Sequence, residues 1–378
     1  MDALTTPLPK DWEIKTFRDI STINQGLQIP ISQRLKAPTE YAKFYITIQA
    51  LNNRKEFEYI KTYNENVVCY KDDILMTRTG NTGMVITNIE GVFHNNFFKI
   101  NFDKTLINKD FLVYFLSLEQ TQKTILKKAG TSTIPDLNHN DFYSLSIPLP
   151  PLNEQTAIAN ILSGVDRYLY ALDSLILKKE GVKKSLSFEL LSQRKHLKGF
   201  NQAWEKIRLG DICEITTGSL DANEMVHYGK YRFYTCAKEY YFIDKYAFDT
   251  EAILISGNGA YVGYVHYYKG KFNAYQRTYV LDNFSENIIF VKYFLTMFLQ
   301  SHIQVNKNEG NTPYIVMATL KDFEILLPPL NEQTAIANIL SALDNEIVSL
   351  KNKKRQFENI KKALNHDLMS AKIRVLNK

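Results

Sequence analysis

The run Leu149-Pro150-Pro151-Leu152-Asn153-Glu154-Gln155-Thr156-Ala157-Ile158-Ala159-Asn160-Ile161-Leu162-Ser163 returns letter for letter from Leu327 to Ser341. Glu154 recurs as Glu332, a shift of 178 residues in a chain of 378. A repeat of this length does not arise by chance, and it constrains the fold before any other feature. Two copies are too few for a solenoid. The chain therefore reads as a duplicated protein with two-fold internal symmetry.

Each copy opens a helix. Pro-Pro blocks helix on its N-terminal side. Asn153 and Asn331 are placed to cap, and the glutamate that follows suits the positive end of the helix dipole. Apolar residues then recur in steps of four and three: Ile158, Leu162, Val165, Leu169, Leu172, Ile176, Leu186 and Leu190 in the first helix. The second has Ile336, Leu340, Leu343, Ile347, Leu350, Phe357, Leu364 and Leu368. That is the stripe of a coiled-coil seam, interrupted by Lys179 and Lys354. About 40 residues per helix gives roughly 60 Å at 1.5 Å per residue.

The segment between the helices begins where the first ends and finishes where the second starts. If it is compact, the helices lie antiparallel. The expected fold is α+β: two globular domains separated by a long antiparallel two-helix coiled coil with pseudo-two-fold symmetry. The boundaries read 1–148 for the first domain, 149–196 for the central helix, 197–326 for the second domain and 327–378 for the C-terminal helix.

An apolar content of 45% supports two cores, and a net charge of +6 is compatible with nucleic acid without requiring it. Cys69, Cys213 and Cys236 show neither metal-ligand nor disulfide spacing and read as reduced thiols of a cytosolic protein. No apolar run reaches the ~20 residues of a membrane span, and the N-terminus has no signal-peptide pattern.

Inside the globular segments the repeat survives as an echo. Trp12-Glu13 and Gln25-Gly26 answer to Trp204-Glu205 and Thr217-Gly218. Ile74-Leu75-Met76 with Gly80 and Gly83 answers to Ile253-Leu254-Ile255 with Gly257, Gly259 and Gly263. Phe111–Leu116 answers to Phe290–Leu295 as a core helix, and Gly130 and Gly310 each begin a polar loop. Two ends that diverged around an identical middle suit a protein that reads two different things while seating identical partners.

At this point the chain resembles the specificity subunit of type I restriction–modification systems. The resemblance rests on the duplicated Pro148-Leu149-Pro150-Pro151-Leu152-Asn153-Glu154-Gln155 helix start and on the domain order; the second copy has Leu326-Leu327 before Pro328. It implies two target recognition domains, each reading one half of a bipartite site in double-stranded DNA, with the helices setting the spacing. It implies no chemistry on this chain. Two modification subunits dock on the helices and methylate adenine at N6, and two restriction subunits can join. S-adenosylmethionine, ATP and magnesium then belong to those partners, and this chain binds no cofactor and no membrane.

For DNA contacts the first domain offers Arg34, Lys36, Arg54, Lys55, Arg78 and Thr79, the last two in a glycine turn after a strand. The second offers Lys230, Arg232, Tyr234, Lys238, Tyr275, Gln276 and Arg277. The plain alternatives are solvated turns and an aromatic sheet core. Leu152, Glu154, Gln155, Leu330, Glu332 and Gln333 are candidates for partner docking, or else for locking the helix starts. Asn311-Thr312-Pro313-Tyr314 resembles an adenine-methyltransferase loop, but its second position is wrong and no glycine-rich cofactor turn supports it. Histidines are dispersed without metal spacing, and no phosphate-binding loop is present. Competing readings are a coiled-coil adaptor with protein-binding ends and a stand-alone adenine methyltransferase.

Overall fold

A computed structural model describes residues 8–52, 57–305 and 313–376. The chain forms two compact units, Met1–Leu172 with Lys353–Lys378, and Asp173–Asn352. In chain order the elements up to the first long helix are β1 (Glu13–Thr16), α1 (Phe17–Ile20), β2 (Ser21–Gln25), β3 (Lys43–Ile46), α2 (Ile48–Asn52), β4 (Tyr59–Ile60), β5 (Val68–Cys69), β6 (Ile74–Thr77), β7 (Val85–Ile86), β8 (Gly91–Phe93), β9 (Phe97–Phe102), α3 (Lys109–Leu116), α4 (Glu119–Ala129), α5 (His139–Tyr143), β10 (Ser146–Leu149) and α6 (Leu152–Leu191). There follow β11 (Glu205–Arg208), β12 (Glu214–Thr217), β13 (Tyr231–Tyr234), β14 (Tyr241–Ile243), β15 (Phe248–Ser256), β16 (Val265–Ala274), β17 (Thr278–Asp282), α7 (Ile288–Val305), α8 (Met317–Lys321), β18 (Glu324–Leu327) and α9 (Leu330–Met369).

In the first unit, β1 pairs with β10, and two four-stranded sheets run in the orders β2-β9-β6-β7 and β4-β3-β8-β5. In the second, β11 pairs with β18, and one sheet runs β12-β17-β15-β16-β13-β14. The two arrangements are versions of one plan. β3 lies parallel to β8 and antiparallel to β4; β13 lies parallel to β16 and antiparallel to β14. The long β16 does in one strand what β7 and β8 do in two. Gly26 and Gly218, the echoed glycines, leave β2 and β12 where a Cβ would fall 2.3 Å from His94 O and 1.9 Å from Ala274 O. Only glycine permits that approach.

The main core of the first unit joins Phe17, Phe111 and Phe142 to Ile158 and Leu162 of α6 and Leu368 of α9. Its counterpart in the second joins Leu209, Phe290 and Ile325 to Leu190 of α6 and to Ile336 and Leu340 of α9. The seam residues are thus drawn inward, as their spacing requires. Within the first unit Tyr168 packs on Phe357 at 4.6 Å and Asp166 pairs with Lys361, so the two helix stretches run antiparallel. Within the second, Lys179 pairs with Glu346 and Lys183 with Asp344, again antiparallel. Lys179, the interruption of the seam, is accommodated by that ion pair.

A polar clamp fixes each globular part to the helices. Tyr114 of α3 donates to Asp166 at 2.8 Å, and Lys361 reaches the other oxygen at 2.5 Å. Tyr293 of α7 donates to Asp344 at 2.6 Å, and Lys183 reaches the other oxygen at 2.5 Å. Burial pushes both phenols well above their ordinary range, and the carboxylate that accepts each proton adds to the shift. The helix ends also match: Gln193 and Ala371 have φ of 59° and 56°, and Lys195 and Ile373 return hydrogen bonds to Glu189 O and Asp367 O. Each helix thus ends on a left-handed residue, and the chain turns back to satisfy a carbonyl of its last turn.

The N-caps differ from the sequence expectation. Both Glu154 N and Gln155 N bond to Pro151 O, and Glu332 N and Gln333 N to Pro329 O, so the prolines hold the cap position. Asn153 and Asn331 fall inside the first turn. No disulfide joins the cysteines; burial pushes the Cys69 and Cys213 thiols up to about 12. Among the described residues no helix is long and apolar enough to cross a membrane.

Candidate nucleic-acid interface

In the first unit Arg34 is committed inside the fold. Its Nε and Nη2 donate to Ile29 O at 3.0 and 2.8 Å, and Nη1 donates to Glu58 at 2.9 Å. Lys36, largely exposed, takes the other Glu58 oxygen at 2.9 Å. Burial pushes the Glu58 carboxyl up, but the hydrogen bonds from Lys36 and Arg34 outweigh it and hold the group below its usual range. Arg34 therefore shapes the loop between β2 and β3, and Lys36 is the cation that this loop presents. Arg54 and Lys55 lie outside the described residues.

Arg78 and Thr79 form the turn after β6. The Arg78 guanidinium bonds Asp136 at 2.7 Å and lies over Phe98, while Thr79 bridges Asp136. Arg78 N and O are fixed by Asn96 O and Leu137 N. In the second unit the same turn is Gly257-Asn258-Gly259: Gly257 N and O bond Arg277 O and Ile315 N, and Asn258 bridges Tyr314. The Pro135-Asp136 strap of the first unit and the Pro313-Tyr314 strap of the second are therefore counterparts. That placement gives the methyltransferase-like segment a structural role; its Asn311 and Thr312, and Gly310, lie outside the described residues.

The second unit brings most of its candidates together. Arg232 is held between the Tyr240 and Tyr268 rings at 4.2 and 4.4 Å and donates to the Tyr234 hydroxyl at 3.4 Å. Tyr234 is buried and packs on His266 and Phe272, so it belongs to the sheet core. Tyr234 O accepts from Tyr275 N at 2.9 Å. Gln276 donates to Asp221 at 2.7 Å, and its N–H bonds Leu220 O, which ties the turn to the loop before β13. Lys230, Lys238, Gln276 and Arg277 are exposed, with Lys238 over Tyr261. The outward set is thus lysines, an amide and an arginine around a tyrosine-rich edge, a surface suited to phosphates and base edges.

The helix starts point the other way. Glu154 is 2% exposed: Trp12 donates to it at 3.0 Å, and Arg374 grips it through Nε and Nη2 at 2.7 and 3.0 Å. Glu332 accepts from Trp204 at 3.2 Å. Gln155 accepts from Asn108 N and donates to Leu106 O and Pro150 O; Gln333 accepts from Asn287 N and donates to Glu286 and Pro328 O. The β1–β10 and β11–β18 pairs place each tryptophan over its helix start.

A family model described as the type I restriction modification DNA specificity domain matches residues 9–179 and 201–359. The chain belongs to this family. It is similar to the Escherichia coli type I restriction enzyme EcoDI specificity subunit, 39% identical over 42% of this chain and 35% of that protein. The match thus spans about a third of the Escherichia coli protein's length. It is 26% identical to the MjaVIII specificity subunit of Methanocaldococcus jannaschii over 98% of this chain and 95% of that one. In fold it is similar to a crystal structure of the type I restriction–modification S subunit from M. genitalium, with a TM-score of 0.64, 20% identity and coverage of 96% and 98%.

Of the two roles that the sequence leaves open at the helix starts, the structure shows the locking one for four residues. Glu154, Gln155, Glu332 and Gln333 are spent on holding each recognition domain to its own helix, because their polar atoms face inward and are bonded there. Leu152 and Leu330 are exposed, at 40% and 55%. Helical periodicity alone does not say which first-turn polar residues face inward; the paired tryptophans, echoed at 12 and 204, are the available clue.

Proposed function

We propose that this chain confers DNA sequence specificity on a type I restriction–modification complex: each recognition domain reads one half of a bipartite duplex site. Two modification subunits bind it and methylate adenine at N6 with S-adenosylmethionine, and restriction subunits that use ATP and magnesium can join. The chain supplies positioning and no chemistry or cofactor of its own. The target adenine must leave the base stack, so the pocket that receives it belongs to the modification subunit.

The observation that carries this reading is the contrast between inside and outside. The clasp of tryptophan, glutamate and glutamine at each helix start, the clamp of tyrosine, aspartate and lysine, and the proline N-caps use the same residue types in both units, while the exposed residues of the two domains differ. Equal attachment of unlike readers is what a bipartite site requires. Among the identical residues, Leu152, Asn153 and Asn160 are exposed, and so are their counterparts Leu330, Asn331 and Asn338. They are the docking face for two equal partners.

The test is fluorescence anisotropy of the complex reconstituted with its modification subunits on duplex DNA across a salt series. A reader that displaces counterions gives a straight decline of log affinity with log salt. Salt-independent binding, or methyl transfer by this chain alone, would overturn the reading.

A further inference from the structure

The loop between β2 and β3 and the loop between β12 and β13 hold the same place in the two units. Each leaves its strand through a glycine without room for a Cβ, Gly26 or Gly218. Each then pairs once with the edge strand: Leu35 with Tyr59 of β4, and Val226 with Phe242 of β14. Between that pairing and the next strand each loop raises a tyrosine into solvent. Tyr41 is 72% exposed and Tyr228 is 98% exposed. A lone exposed aromatic needs no explanation. Two at equivalent positions, each followed two residues later by a lysine in loops that otherwise differ, do.

The loop bases are fixed. Arg34 holds the first through Ile29 O and Glu58, and Gln276 holds the second through Asp221 and Leu220 O. The tips are therefore presented and not merely loose. Cations flank them: Lys36 and Lys43 in one domain, Lys230 in the other. A carboxylate also stands close in sequence to each ring, Glu40 beside Tyr41 and Glu224 before Tyr228, and both are exposed. A carboxylate repels the phosphate backbone, so these tips are not backbone clips. It is tolerated at base edges, where cytosine offers an amino donor. An aromatic ring with lysines behind it and an acid beside it suits the floor of a groove.

We infer that Tyr41 and Tyr228 are equivalent specificity residues, one per recognition domain, each laying its ring against bases in the groove of its own half-site. This rests on the reading of the chain as a DNA specificity subunit. The contact is made by ring faces and edges, so it contributes to base preference without adding counterion release.

The experiment selects bound sequences from duplexes with a randomised 30-base-pair core, using the complex with its modification subunits. Wild type, Tyr41→Ala, Tyr228→Ala and the two Tyr→Phe variants are compared, with melting temperature measured for each. Tyr41→Ala is expected to flatten the preference in one half of the consensus and Tyr228→Ala in the other. Affinity for the wild-type consensus falls at least about fivefold, the low end for the loss of recognition at one base pair. The salt slope and the melting temperature stay at wild type, and Tyr→Phe keeps the consensus. Alanine variants that select the wild-type consensus at wild-type affinity would overturn the inference and leave the reading of function standing. So would variants whose only defect is weaker association with the modification subunits. A wild-type complex that selects no consensus would remove both.

Discussion

At the residue scale, Gln155 is the clearest single point of attachment. Its amide, 1% exposed in the first turn of α6, meets Asn108 N, Leu106 O and Pro150 O. Gln155→Ala leaves those groups without partners, at a cost on the order of 3 kcal/mol. Denaturant titration should show the loss in the transition of the unit that holds Gln155; an unchanged midpoint would mean that water replaces the amide freely. Two histidines set a pH limit. Burial, aided by the Arg34 cation, lowers the pKa of His94, and burial lowers that of His266. His266 Nε2 lies 2.9 Å from Ala237 O and so carries the proton in the neutral ring. In the unfolded chain both titrate near the usual ~6.5. The unfolded state thus binds more protons below that value, and stability is present above it and lost as pH falls towards the folded pKa. Melting temperature should drop between pH 7 and 5.5, well above the carboxylate range in which Glu58 would matter. A His94→Asn, His266→Asn double variant should flatten that slope; an equal slope in the variant would assign the effect elsewhere.

At the scale of elements, the helices were legible and their attachments were not. Spacing of 3.5 residues needs only the chain itself, and Ile158, Leu162, Ile336 and Leu340 are fully buried where the spacing put them. The clamp is not legible because its members are far apart in sequence: Tyr114 lies 52 residues before Asp166, and Tyr293 lies 51 before Asp344. The caps were misplaced because a proline carbonyl does the work that asparagine commonly does. In the sheet, alternating tyrosines do not say which face is wet. Tyr234 proved to be core, and Arg232 lies between two rings. The clamps invite a direct comparison. Tyr114→Phe and Tyr293→Phe each remove one hydrogen bond to a carboxylate, at a cost of about 1–2 kcal/mol. The Asp166–Lys361 and Asp344–Lys183 pairs are partly exposed, so their coupling in double-mutant cycles should stay below about 1 kcal/mol. Similar values in both units would show that the clamps are equivalent; a neutral Tyr→Phe in either would remove it as an attachment.

At the scale of the whole molecule, α6 and α9 each contribute residues to both units, with the division after Leu172 in one and after Asn352 in the other. Seven residues added at each of those points preserve the seam, because the stripe repeats every seven. They leave the clasps and clamps of both units untouched. The added rise is about 10 Å, or roughly three base pairs at 3.4 Å each. If these helices set the interval between half-sites, sequence selection should return the two wild-type half-sites with a longer gap. Three added base pairs also turn the duplex by about 100°, given a repeat near 10.5 base pairs, whereas a heptad brings the helix back to within about 20°. The new site should therefore be bound more weakly than the original, with its half-site letters unchanged. Selection of the original gap by the lengthened chain would show that the interval is set by something other than these helices, even if each domain still reads its own half.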